Sequence, residues 1–200
     1  TKQSLPLSKL EVLVVVLESE QARLSALGQG WPFQLRFVVI PEAVVTKQKV
    51  NNIAALKRNW GMKAAQYDPC MLTDDDVFHS DGGLNIFTDF FAGGFRGIAT
   101  CDLRFENQTV FRLGAKASPV TDVRWVQFST SLVVLDKESF ARVGPFKEDF
   151  VGRGEDIEYG YRAHRLGVPI KRLAGDWAIH EGAPRNDFAT GKTSGYGAYV

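Results

Sequence analysis

The sequence has few cysteines, no long apolar run and almost no net charge. Its 200 residues include two cysteines, Cys70 and Cys101, too few and too far apart for a disulfide framework or a zinc motif. No apolar stretch approaches the ~18 residues of a membrane span, and the first residues lack the layout of a signal peptide. With 24 Lys and Arg against 23 Asp and Glu, the net charge of +1 gives no long-range field for nucleic acid or an anionic membrane. An anionic ligand therefore needs a local site.

The same numbers set expectations for domain organisation and location. A length of 200 residues fits one domain, which we expect to span residues 1–200. Residues 183–200 are rich in glycine and predict a mobile tail. The two cysteines are expected to be reduced and buried. This favours a cytoplasmic protein, and the Golgi lumen stays open if the chain is a piece trimmed from a longer, anchored protein.

Strands and helices alternate in the first third of the sequence. Continuous apolar runs rich in β-branched residues predict strands buried on both faces, as in parallel sheets. The expected order is Leu10–Leu17 (strand), Glu18–Gln29 (helix), Leu35–Ile40 (strand), Lys47–Trp60 (helix, with Gly61 as its stop) and Pro69–Thr73 (strand). This alternation predicts an α/β domain with a parallel sheet.

The remainder mixes short strands with two helices. Asp136 is a plausible N-cap for a helix over Asp136–Val143, and a second helix is expected from the Gly152–Asp156 segment to Leu166, where Gly167 ends it. The predicted strands are Gly97–Leu103, Gln108–Leu113, Trp125–Leu135, Ile170–Leu173 and Trp177–His180.

Three adjacent aspartates, Asp74, Asp75 and Asp76, follow the predicted strand that ends at Thr73. Their charges repel one another, and a divalent cation would remove that cost. Carboxylate oxygens suit Mn²⁺ or Mg²⁺, and open α/β sheets bind ligands beyond the carboxyl ends of their strands. Because side chains alternate along an extended segment, we expect Asp74 and Asp76 at a metal and ligand site, with Asp75 pointing away from the metal. A solvated turn that caps the next helix is an equally good explanation of the triplet alone.

A second acidic group, Glu155, Asp156 and Glu158, begins a predicted helix after the segment Gly152–Gly154. Acidic residues in a first helical turn favour the helix by roughly 0.3–1 kcal/mol, which is a purely structural explanation. The functional explanation is a general base, because an aspartate with an ordinary pKa of ~3.9 is ionised at neutral pH and accepts a proton from a hydroxyl. His180 follows a predicted strand, and a lone histidine is more often structural than a metal ligand.

Taken together, these motifs resemble the GT-A-fold glycosyltransferases, especially family 2 and related inverting enzymes. The resemblance runs from about Val50 to Gly182, and the order and spacing of its motifs carry it. An Asn- and Ala-rich helix leads to the triplet, which is similar to the DxD motif. The matching segments are Asn51–Lys57, Leu72–Asp76, Lys137–Phe140, Gly144–Phe146, Gly152–Glu158, Arg162–Gly167 and His180.

This resemblance implies a GT-A fold, a Rossmann-like mixed sheet that is mainly parallel and flanked by helices. It also implies a metal-dependent glycosyltransferase that moves a sugar from a nucleotide-diphosphate donor to an acceptor hydroxyl, on a glycan or another molecule, with inversion. The first third departs from the family, since Glu18–Glu20 and Ile40–Glu42 stand where the family reads base and ribose. The base is therefore unassigned, and a UDP-sugar is expected only as the commonest donor.

The resemblance also assigns residues. Asp156 would be the catalytic base, with Glu155 near the acceptor. The cation, Mn²⁺ or Mg²⁺, would be bound by Asp76, Asp74 and His180. The nucleotide-sugar would be bound by Asp74, Asp75, Lys49, Asn52 and, from the tail, Arg185, which would grip the diphosphate as a closing lid does.

Three other functions remain open at this stage. A retaining glycosyltransferase on the same fold would use a similar acidic motif. A non-catalytic domain that binds a nucleotide-sugar or a metal would need no base, so the second acidic group argues against it. A nucleotidyltransferase is weaker, because it would want a glycine-rich phosphate loop after the first strand, where Leu17–Ser19 offers none.

Overall fold

A computed structural model of the chain describes residues 6–24, 30–80, 82–105, 110–111, 119–151 and 154–181. Its strands are β1 Glu11–Leu17, β2 Gln34–Ile40, β3 Cys70–Thr73, β4 Val77–His79, β5 Ile98–Phe105, β6 Val110–Phe111, β7 Val120–Asp122, β8 Leu132–Leu135 and β9 Ile170–His180. Its α-helices are α1 Glu18–Leu24, α2 Glu42–Gln48, α3 Ile53–Ala64, α4 Gly83–Ala92, α5 Lys137–Val143 and α6 Glu155–Arg165. Short 3₁₀ helices lie at Leu7–Lys9 and Trp125–Gln127.

The described strands form two hydrogen-bonded sheets. Strands β1 and β2 pair in parallel, and a seven-stranded sheet has the order β3-β8-β5-β9-β4, with β6 beside β5 and β7 beside β9. The pair β5–β9 is parallel, and the other described pairs of the larger sheet are antiparallel. The α/β class and the mixed sheet flanked by helices are thus confirmed. The antiparallel pairs are β3–β8, β4–β9, β5–β6, β5–β8 and β7–β9, and the alternation in the first third does not reveal them.

The core occupies both faces of the larger sheet, because successive side chains of a strand point to opposite sides. Ile98 and Val133 join a cluster with helices α5 and α6, whereas Ala99 and Val134 join a cluster with α4. Cys70 and Cys101 are both buried and free, as expected. Burial raises the pKa of the Cys70 thiol to about 11. In the part of the chain that is described, no helix is long and apolar enough to cross a membrane.

The helix predicted over Lys47–Trp60 is wrong in two respects. Lys49 adopts a left-handed conformation with φ 51° and ends α2, and a new helix starts after Asn52, whose side chain accepts from the Ala55 N–H at 2.9 Å. Gly61 does not stop this helix but lies inside it. A Cβ at Gly61 would stand 3.2 Å from Cγ2 of Val15, so the glycine serves close packing of α3 on β1.

Other boundaries also differ from the sequence expectation. The strand predicted over Trp125–Leu135 divides into the 3₁₀ helix and β8. The two strands predicted within 170–180 are one strand, β9, whose register against β5 shifts between Cys101 and Leu103. Strands β4 and β7 and helix α4 were not expected. The tail 183–200 lies outside the described residues.

Helix α6 packs closely on the 3₁₀ helix at Gly160. A Cβ there would lie 2.8 Å from Cβ of Phe128 and 3.1 Å from the Trp125 carbonyl oxygen. Neither of these atoms can move away at low energetic cost. We expect Gly160→Ala to lower the free energy of unfolding by about 1–3 kcal/mol despite alanine's better helix propensity. Urea unfolding measures this. Gly93→Ala is the control, since Gly93 has φ −68° and room for a methyl group. An equal loss in both variants would contradict the packing explanation.

Candidate active site

The two acidic motifs meet through one side chain of α3. Arg58 donates from Nη1 to Oε1 of Glu155 at 2.8 Å and from Nη2 to Oδ1 of Asp74 at 3.1 Å. Asp74 follows β3, and its backbone N–H donates to the Ser131 carbonyl at 3.1 Å. Glu155 is the first residue of α6. The guanidinium therefore joins the end of β3 to the start of α6, two segments about eighty residues apart in sequence.

The carboxylate of Glu155 is held on both oxygens. Its Oε2 accepts from Nδ2 of Asn52 at 3.0 Å, while Oε1 accepts from Arg58, and the residue is only 8% exposed. The amide of Asn52 also caps α3 through its oxygen. Both residues that hold Glu155 thus come from the N-terminal part of α3, which is fixed relative to α6.

The loop before α6 is fastened to α3 as well. The backbone N–H groups of Asn51 and Asn52 donate to the Glu148 carbonyl at 2.9 and 3.0 Å. The buried amide of Asn59 donates to the Phe146 carbonyl at 2.8 Å and accepts from the Phe146 N–H at 2.8 Å. Each of these contacts is a backbone or amide hydrogen bond, so they tie the loop to α3 without a charged pair.

Asp156 lies next to this held carboxylate and is half-buried. Its Oδ1 accepts from the Ile157 N–H at 2.8 Å. Burial, together with the negative charge of Glu155, raises the pKa of Asp156 to about 6, although the Ile157 hydrogen bond and Arg58 oppose the rise. Asp156 is thus ionised at neutral pH yet basic enough to take a proton, as general-base catalysis requires.

Asp76 and His180 form a second pair on the other side of the triplet. Oδ2 of Asp76 lies 3.5 Å from Nε2 of His180, and the Glu181 N–H donates to the Asp76 carbonyl at 2.8 Å. Pairing of Val77 with His180 between β4 and β9 brings these residues together. Two ligand atoms about 2.1 Å from one ion lie about 3 Å apart at a right angle, so this spacing fits one divalent cation.

The donor set also fits Mn²⁺ or Mg²⁺ in its chemistry. A carboxylate oxygen and an imidazole nitrogen suit Mn²⁺, and both ions take remaining ligands from phosphate and water. Within the described ranges, no group of three His, Cys, Asp or Glu side chains converges as a ready metal cage. Asp74, also expected on the metal, accepts from Arg58 through Oδ1. Any cation at Asp76 and His180 would thus depend on ligands from a bound diphosphate.

Of the other predicted site residues, Asn52 joins this cluster and Lys49 does not. Asp75 is exposed. Lys49 is exposed at the end of α2, and the described contacts do not bring it to the acidic residues. Asn52 is buried against Glu155. Arg185 lies outside the described residues, as do Gly152 and Arg153.

Arg58 is the site residue that sequence reasoning missed. It lies in a helix whose sequence pattern is set by the apolar residues Ile53, Leu56 and Trp60, at helical spacing. The available signal was that Arg58 and Asn59 lie two and three positions after the buried Leu56, within one helical turn of it. Polar side chains on the covered side of a helix need partners, and these two find them in the loop and the start of α6.

No protein-family profile matches the sequence. Structural comparison finds "S. aureus TarS 1-349 in complex with UDP-GlcNAc", with a TM-score of 0.70 and 13% identity, covering 94% of this chain and 54% of that one. This chain has the GT-A fold. Two curated proteins named validoxylamine A glucosyltransferase, from Streptomyces hygroscopicus subspecies jinggangensis (strain 5008) and limoneus, are each 48% identical over 56 residues, 28% of this chain. The matched segment spans only 13% and 12% of those two relatives.

Proposed function

We propose that this chain is a glycosyltransferase domain that transfers a sugar from a nucleotide-diphosphate donor, a UDP-sugar, to an acceptor hydroxyl. One observation carries the proposal. The two acidic motifs are joined through Arg58, with the Asp76–His180 pair on one side of the triplet and Asp156 beside the held Glu155. Two kinds of relative support it, since TarS was solved with UDP-GlcNAc and the partial relatives are named glucosyltransferases.

The donor would be held at the triplet by a divalent cation. Asp76 and His180 would hold Mn²⁺ or Mg²⁺, and Asp74 and Asp75 would contact the nucleotide. When bound, such a cation stabilises the negative charge that develops on a departing diphosphate. Asp74 would have to share its carboxylate between the donor and Arg58.

Asp156 would act on the acceptor. Its carboxylate takes the proton of the acceptor hydroxyl while that oxygen bonds to the anomeric carbon and the bond to the nucleotide diphosphate breaks. A single displacement of this kind inverts the anomeric configuration. A retaining mechanism through a covalent intermediate would need a free nucleophile, and Glu155 is a poor one because Arg58 and Asn52 occupy both of its oxygens.

The pH dependence of the rate tests the role of Asp156. With a pKa of about 6, the base loses its activity by protonation below that pH, so the rate at limiting acceptor should fall about tenfold per pH unit on the acidic side. UDP release from UDP-GlcNAc and UDP-glucose with Mn²⁺, measured between pH 4.5 and 8, gives the profile. A flat profile across pH 6 would contradict the assignment of Asp156.

The stereochemistry of the product is a separate test. The ¹H coupling constant of the anomeric proton distinguishes the two anomers directly in the NMR spectrum of the freshly formed product. We expect the anomer opposite to that of the donor. A product with the donor's anomeric configuration would still be evidence of sugar transfer, but it would show that the mechanism is retaining and not inverting.

A further inference from the structure

We propose that Arg58 is a positioning residue that fixes the donor-side carboxylate of Asp74 and the carboxylate of Glu155 relative to one another and thereby controls the neighbouring base, Asp156. This inference rests on the proposed function for its catalytic meaning. Its physical content, a cation that holds two carboxylates from different motifs, stands on the contacts alone.

Arg58 contacts the two carboxylates with both terminal nitrogens of its guanidinium group. Two different guanidinium nitrogens reach two different carboxylates, at 2.8 Å to Glu155 and 3.1 Å to Asp74. Because the guanidinium is planar and rigid, it fixes the direction as well as the separation of its partners, which the point charge of a lysine does not. Cζ of Arg58 also lies 5.8 Å from the centre of the Phe146 ring, which supports one side of the group. The side chains of Arg58 and Glu155 are only 13% and 10% exposed, so water screens this pair little.

Docking of α3 does not explain Arg58. The Asn59 amide and the backbone N–H groups of Asn51 and Asn52 already tie α3 to the loop before α6. What Arg58 adds is positive charge between carboxylates. Without it, Glu155 and Asp74 would lie near one another with no cation from α3, and the negative charge around Asp156 would increase.

The consequence falls on Asp156. Among the described groups, the charges that act on it are Glu155 of its own helix, which raises its pKa, and Arg58 of α3, which lowers it. Removing the cation should therefore raise the pKa of Asp156 and leave less of the base ionised at neutral pH. It should also release Asp74, so that the donor binds less well.

The experiment is a ¹³C-carboxyl NMR titration of Asp156 in the wild type, Arg58→Gln and Arg58→Lys, with the resonance assigned from its absence in Asp156→Asn. We expect the pKa to rise in Arg58→Gln and to stay within about 0.3 units of the wild type in Arg58→Lys, which keeps the charge. Turnover should drop at least about tenfold in both, because lysine cannot bridge both carboxylates. Arg58→Lys also keeps the test decisive if Arg58→Gln does not fold.

Lys57→Gln is the matched control. Lys57 precedes Arg58 on the same helix, and its ion-pair partner is Glu20, at 2.8 Å. The substitution therefore removes one positive charge from α3, as Arg58→Gln does, but at a different contact. It should leave both the pKa of Asp156 and turnover unchanged. An unshifted pKa in Arg58→Gln, or wild-type turnover in Arg58→Lys, would overturn the inference. The titration needs no activity, so a shifted pKa in a chain that transfers no sugar would reject the proposed function and keep the role of Arg58.

Discussion

Replacing Asp156 by Asn is expected to abolish sugar transfer, keep donor binding and make the folded protein more stable above pH 6. Loss of a general base lowers turnover by roughly 10²–10⁴-fold. The proposed donor contacts are at the triplet and His180, so the affinity for UDP-GlcNAc should change less than about twofold. Comparing single-turnover rates with calorimetric affinities, both with Mn²⁺, separates the two effects.

The gain in stability follows from the direction of the pKa shift. Folding raises the pKa of Asp156 from 3.8 to about 6, so the unfolded chain releases this proton at lower pH than the folded chain. The wild type therefore loses stability as the pH rises from about 4 to 6, and the loss is complete above pH 6. Asparagine carries no charge, so Asp156→Asn avoids a cost on the order of 1–3 kcal/mol.

Chemical unfolding at pH 4 and pH 7.5 measures this difference. The two proteins should be alike at pH 4, and the variant should be more stable at pH 7.5. Asp149→Asn serves as the control because Asp149 lies close by in the chain with an exposed side chain. A variant that is less stable than the wild type at pH 7.5, or one that keeps wild-type turnover, would contradict the assignment of Asp156.

Asp76→Asn should weaken Mn²⁺-dependent binding of the nucleotide-sugar by about 100-fold or more. The cation would lose one of its two protein ligands, and several kcal/mol of donor binding depend on it. His180→Ala should act in the same direction, since His180 lies 3.5 Å from Asp76 and offers the second ligand. Calorimetric titration of UDP-GlcNAc with Mn²⁺, repeated in a chelator, measures the effect.

Asp89→Asn is the control for this pair of variants. Asp89 is exposed on α4, and its substitution removes the same formal charge as Asp76→Asn. A general electrostatic effect on the diphosphate would therefore appear in Asp89→Asn too. The metal assignment fails if chelation leaves wild-type binding unchanged, or if Asp76→Asn binds the donor as the wild type does.

Much of the fold and of the acidic motifs could be read from local patterns. The run Glu11–Leu17 is strongly β-branched, and the predicted N-cap Asp136 accepts from the backbone N–H of Ser139, three residues on. Such signals involve residues that are neighbours in sequence, so they can be predicted without knowledge of tertiary contacts. The same holds for the triplet and for Glu155-Asp156, whose chemistry is visible in adjacent residues.

The unexpected features depend on distant partners. Gly61 resembles a helix stop, and only the approach of Val15 explains why a glycine lies inside α3. Arg58 resembles a surface residue of a helix, and its role needs Asp74 and Glu155 on two other segments. The pKa of Asp156 likewise depends on burial that its sequence neighbours do not reveal.

The most direct test of the whole site is a crystal structure of Asp156→Asn grown with UDP-GlcNAc and Mn²⁺, with anomalous data collected for manganese. We expect a manganese peak within about 2.0–2.3 Å of Asp76 and His180, with the donor diphosphate as a further ligand and the anomeric carbon facing residue 156. A nucleotide-sugar bound away from the triplet, or manganese bound elsewhere while the donor occupies the site, would contradict the proposed function of these residues.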